Sequence, residues 1–92
     1  MKALPIHYHI EVYENSFTND PSWAAESITP FPTLSKGDGF NHSSLAEFGW
    51  SNPPNKNQEF RVKDIEHIFW QIENSHLGHK LMVSLELTAR IE

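Results

Sequence analysis

Residues 80 to 91 read KLMVSLELTARI and place an apolar side chain at every second position, at Leu81, Val83, Leu85, Leu87, Ala89 and Ile91. Lys80, Met82, Ser84, Glu86, Thr88 and Arg90 occupy the positions between them. A period of two fits a strand, whose successive side chains point to opposite faces, and does not fit the 3.6-residue turn of a helix. One face of this segment is therefore built to be buried and the other to be wet. A strand with one buried face needs neighbours, so a sheet is the frame into which the rest of the chain must fit.

The segment before it, EFRVKDIEHIFWQIE over residues 59–73, carries two apolar faces. Phe60 and Val62 share a parity, but Asp64 and Glu66 follow on it, and two carboxylates in a core are costly without partners. A bulge near Lys63–Asp64 reverses the facing and resolves the conflict. Phe60, Val62, Ile65, His67 and Phe69 then point inward, while Ile68, Trp70 and Ile72 point outward. The alternative is an unbulged strand with Ile68, Trp70 and Ile72 inside. Residues 74–79, NSHLGH, read as the turn of a hairpin joining this strand to 80–91. Near the start, IHYHIEVY over residues 6–13 alternates Ile6, Tyr8, Ile10 and Val12 with His7, His9, Glu11 and Tyr13, a further strand.

The remaining segments are less regular. Asp20 before Pro21 is a helix-start signal, and Pro30 disfavours helix at Thr29, which predicts a short helix or ordered loop near 21–28 with Trp23 and Ile28 packed on the sheet. Gly37-Asp38-Gly39 predicts a tight turn with a short strand close by. Residues 42–50, HSSLAEFGW, fit either a short strand or one helical turn, and SNPPNKNQ over 51–58 reads as an exposed loop. Residues 1–92 thus form a single domain of mainly β class (β-rich α+β). The expected architecture is a small half-open antiparallel barrel or strongly bent sheet of about four to six strands. One short helix accompanies it, and segment 14–30 covers an open end. A ferredoxin-like sandwich would need two amphipathic helices that the chain does not offer.

The order FPTLSKGDG, EFRVKDIEHIF and KLMVSLEL resembles a layout of small bacterial β-proteins encoded by integron and other mobile gene cassettes. In these a Gly-Asp turn precedes a strand of the form F-x-V-x-x-I-x-H and an apolar terminal strand. The resemblance spans residues 31–87 and implies a small barrel-like fold. It implies no activity, and the stretch 42–58 departs from the layout.

Composition narrows the chemistry. Of 92 residues, 12 are acidic and 7 basic, a formal net charge of −5, which argues against nucleic acid as a partner. There is no cysteine, so disulfides, thiolate metal sites and cysteine nucleophiles are excluded together. No apolar run approaches the ~20 residues of a membrane-spanning helix, and Ala3–Ile6 is too short for a secretory signal, so a cytoplasmic location without membrane contact is expected.

Several side chains are candidates for function. His7, His9 and Glu11 share one face of their strand and have the donor types of a three-ligand zinc site. They are equally the polar face of an amphipathic strand. His76 and His79 flank Leu77-Gly78 in the expected turn. His67, on the inward face between Ile65 and Phe69, reads as a general base in a pocket or as a satisfied core histidine. Phe40, Phe48 and Trp50 either line a cleft at the barrel mouth or plug it. Gly49-Trp50-Ser51-Asn52-Pro53 lacks the second glycine of a nucleophile elbow. No convergent catalytic set emerges. The expectation is a binding or interaction module without cofactor or resident metal, a homodimer through Ile68, Trp70 and Ile72. Phe48, Trp50 and His67 are its pocket candidates for a small-molecule ligand. The alternative is a small-molecule-binding or metal-dependent enzyme using pocket histidines.

Overall fold

The computed structural model describes residues 3–45 and 49–90. Five strands form one sheet: β1 (Ile6–Glu14), β2 (Trp23–Ser27), β3 (Gly39–Phe40), β4 (Gln58–Ile72) and β5 (His76–Ala89). Their spatial order is β2-β1-β5-β4-β3, and the sheet bends into a half-barrel. The protein is mainly β, as the alternating segments predicted, and no helix is present among the described residues.

Two expectations are corrected. The sheet is mixed rather than antiparallel, because β1 runs parallel to β5, with Ile10 beside Leu81 and Val12 beside Val83. Within residues 21–28 the chain forms β2, not a helix. Trp23 and Ala25 alternate with Ala24 and Glu26, and β2 pairs antiparallel with β1, Val12 opposite Trp23 and Tyr8 opposite Ser27. Asp20-Pro21 does not cap a helix there, since the Ser22 N–H that follows bonds to the Val12 carbonyl at 2.8 Å and starts the strand pairing. Trp23 packs against the core, whereas Ile28 is 87% exposed.

The bulge in β4 is present. Val62 lies opposite Leu85 and Asp64 opposite Ser84, so Lys63 is the additional residue. The reversal puts Phe60, Val62, Ile65 and His67 on the face of Leu87, Leu85, Val83 and Leu81. Ile10, Val12, Phe60, Val62, Leu81, Val83 and Leu85 make the core. Trp23 and Ala25 of segment 14–30 pack against the core, as do Phe31 and Leu34 from the strap that follows β2, together with Trp50 and Phe40. The strap ends beside β4, where the Gly37 N–H bonds to the Val62 carbonyl and the Val62 N–H to the Asp38 carbonyl, each at 2.8 Å.

The turn of the long hairpin is shorter than expected. Residues 73–75 make it, with Asn74 at φ 60° and the Ser75 N–H bonded to the Ile72 carbonyl at 3.0 Å. His76 and His79 therefore belong to β5 rather than to the turn. The molecule measures 53 × 24 × 23 Å, and the long dimension reflects β4 and β5, of 15 and 14 residues.

Candidate functional site

Alternation carries the apolar character of β4 on past the end of the packed core. Leu81 is buried, yet its partner His67 is exposed, and Phe69, next on the same face, is 71% exposed. On the other face Ile68 and Ile72 are 38% and 47% exposed. The outer half of the β4–β5 hairpin thus presents apolar side chains on both faces to solvent.

Aromatic and imidazole rings gather at this end. On the core face His67 Nδ1 and His79 Nε2 are 2.9 Å apart and share one hydrogen bond. Phe69 stacks on His79, ring centroids 4.5 Å apart and planes at 8°. The pair lies beside a small cavity of about 140 Å³ walled by Phe31, Leu34 and Leu81. Burial lowers the pKa of His79, and the neighbouring His67 lowers it further. His67 is not a buried core histidine, because the sheet has outrun its core at that point. His79 carries the parity of Leu81, a signal that extending the β5 alternation back to residue 76 makes visible.

The outer face has its own ring pairs. His7 stacks on His76 at 4.2 Å, and His9 meets Trp70 at 5.2 Å. Trp70 lies over Gly78, the residue directly opposite it, and a Cβ at that glycine would run into the indole ring. His7, His9 and Glu11 do share a face, but each has a different partner. His9 Nδ1 is 3.5 Å from Glu26, while Glu11 accepts from Lys80 at 3.3 Å and from the Tyr13 hydroxyl at 2.7 Å. Among the described residues no three histidine or carboxylate side chains come together as a metal would require. Burial, with the hydrogen bond and charge of Glu11, pushes the Tyr13 hydroxyl up to about 12.

Trp50 stands at the opposite end of the sheet. It meets Phe60 at 5.7 Å and His42 at 4.9 Å and packs against the core. Phe60 is seven places before His67 on one strand, roughly 20 Å away at about 3.3 Å per residue, so Trp50 and His67 do not share a pocket. Phe48 lies outside the described residues.

One group was missed by sequence reasoning. Glu14 ends β1 on the parity of Val12, a carboxylate at the rim of the core face. It accepts the Ser22 hydroxyl at 2.5 Å and the backbone N–H groups of Ser51 and Asn52 at 2.8 and 2.7 Å. Burial raises its pKa, but these three donors, with the charge of His42, outweigh burial and hold it below the ordinary value. The carboxylate edges an open cavity of about 900 Å³ between the 19–22 and 49–52 loops. Because its lone pairs are engaged by the protein's own donors, Glu14 serves as a clamp on those loops. Gly49, at φ 89°, packs so closely on the Ser22 backbone that a side chain there would collide with it.

No helix among the described residues is long and apolar enough to cross a membrane. Comparison with known proteins gives no match to a family model, to a curated protein or to a solved structure.

Proposed function

We propose that the chain is a small interaction module, non-enzymatic and homo-oligomeric, that binds through the outer half of the β4–β5 hairpin. One observation carries this reading. Ile68, Phe69 and Ile72 are exposed on both faces of a single strand, although that strand's own core has ended. Contiguous apolar surface of this kind marks partner surfaces, and the commonest partner of such a patch is the same patch on a second copy. Trp70 anchors it, held in place over Gly78.

A rival reading, a small-molecule-binding or metal-dependent enzyme, has the His67–His79 pair in its favour. The cavity beside that pair is about 140 Å³, below the ~300 Å³ at which ligand pockets begin. Sedimentation of the wild-type chain over a wide concentration range tests the first reading. A dimer or larger species is expected, and Ile68→Lys, at a partly exposed position, should shift it to a monomer that keeps its circular dichroism and melting temperature. A wild type that stays monomeric throughout ends the proposal.

A further inference from the structure

The unpaired edge of β4 goes beyond the apolar faces, because it says how a partner would sit. β3, the outer neighbour of β4, has two residues and pairs with Phe60 and Arg61 alone. The loop before it reaches Val62. Beyond Val62 no strand among the described residues bonds to the outer edge of β4.

Which groups face that edge follows from the ladder. Val62 directs both its N–H and its C=O away from β5, since both bond to the 37–38 loop. The bulge turns residues 63 and 64 toward β5, and alternation resumes at Ile65, so Ile65, His67, Phe69 and Gln71 direct their backbone groups outward. The Ile65 N–H agrees, for it is bonded to Asp64 Oδ1 at 3.0 Å instead of to a strand. Exposed edges are usually blunted by lysine, proline or a covering segment. Between Ile65 and Ile72 there is no lysine, arginine or proline.

The geometry points to antiparallel pairing of this edge with the same edge of a second copy, the twofold axis passing at Ile68; this rests on the interface reading above. The outward-directed run 65–71 has its midpoint at Ile68. A twofold there bonds Ile65 to Gln71 and His67 to Phe69 of the second copy, twice over, and leaves none of the run unpaired. Charge favours the same register. Glu66 then lies opposite Trp70 of the second copy. Moving the axis two residues toward the N-terminus would set Glu66 against its own copy, a like-charge pair that destabilises a sheet. Ile68, 38% exposed in the single chain, then faces Ile68 across the axis. The two sheets join edge to edge, and the symmetry closes the pair instead of extending it.

Amide hydrogen exchange of the wild type and disulfide trapping test this together. Above the dimer dissociation constant, the His67, Phe69 and Gln71 amides should gain protection that dilution removes. The Ile68 and Trp70 amides, bonded to β5, should stay protected throughout. The chain has no cysteine, so Ile68→Cys introduces a single thiol. In the paired register the two Cα atoms at this position lie about 4.5 Å apart, within disulfide range. Mild oxidation should link Ile68→Cys to itself, while Ile72→Cys, whose counterpart is Asp64, should remain unlinked. Phe69→Pro, which removes an outward amide and none of the β5 ladder, should weaken the dimer roughly tenfold or more. A dimer in which the three outward amides exchange freely, or in which Ile68→Cys fails to link, overturns edge pairing and leaves the interface reading standing. A monomeric wild type overturns both.

Discussion

The indole of Trp70 lies over Gly78, its cross-strand partner on the outer face of the β4–β5 hairpin. Glycine in a strand is ordinarily a weakness, and here an aromatic ring covers the bare backbone it leaves. Gly78→Ala should therefore destabilise the protein, by about 1–3 kcal/mol, because the new Cβ displaces the ring. A lowered urea midpoint with a changed near-ultraviolet dichroism is the expected outcome. An unchanged midpoint would mean that the ring moves aside without cost.

Leu85 is fully buried in the middle of the core cluster, opposite Val62 and beside Glu14. Leu85→Ala should cost about 2–5 kcal/mol through lost burial and the cavity left behind. For a domain of this size that is a large part of the total stability. Chemical denaturation measures it directly, and a loss below about 1 kcal/mol would place the centre of the core elsewhere.

Glu14 links acid stability to the two loops it clamps. Its folded pKa is depressed below the usual 4.5, so its contribution is complete above that value and is lost as pH falls through the lower folded one. His79 acts with the same sign, since its folded pKa lies below the usual 6.5 and the unfolded chain takes up its proton first on acidification. Glu14→Gln should lower stability by roughly 1–2 kcal/mol at neutral pH, because a charged acceptor of three hydrogen bonds is lost. It should also flatten the decline of the urea midpoint on acidification. Parallel pH profiles for wild type and variant would show that the clamp carries no stability.

Tyr13 governs the alkaline side. Its hydroxyl keeps its proton in the fold to about 12, whereas an unfolded tyrosine releases it near 10.0. The unfolded state binds fewer protons between these values, so stability should fall as pH rises through that window. Tyr13→Phe should abolish this part of the dependence. Urea midpoints at mildly and strongly alkaline pH distinguish the two, and an equal slope in the variant would assign the alkaline loss to other groups.

Much of the sheet was legible from the order of residues because side-chain period is a local property. β5 and β1 follow from their own alternation of apolar and polar residues, and the bulge beside Lys63 from which neighbours can share a face with Phe60 and Val62. β2 was not legible. Asp20-Pro21 and two alanines carry helix-start chemistry, and what overrides it is the edge of β1, to which Trp23–Ser27 bonds along its length. Local propensity is worth tenths of a kcal/mol per residue, and strand pairing with burial of Trp23 exceeds it.

Pairing across long separations was decided by the tertiary structure alone. Nothing in IHYHIEVY specifies that it runs parallel to a strand some seventy residues later, since an amphipathic strand presents the same alternation in either direction. The meeting of His67 with His79, the capture of Ser51 and Asn52 by Glu14, and the covering of Gly78 by Trp70 depend on that arrangement and on the hairpin register. By itself, the sequence determined which side chains share each strand's face. The folded sheet decided where the core stops, and so that Phe69 and Ile72, apolar residues on a strand otherwise built for burial, remain in water. The physical reason is that facing is set by backbone geometry one residue at a time, whereas burial depends on how many neighbours the whole chain can bring to cover a strand.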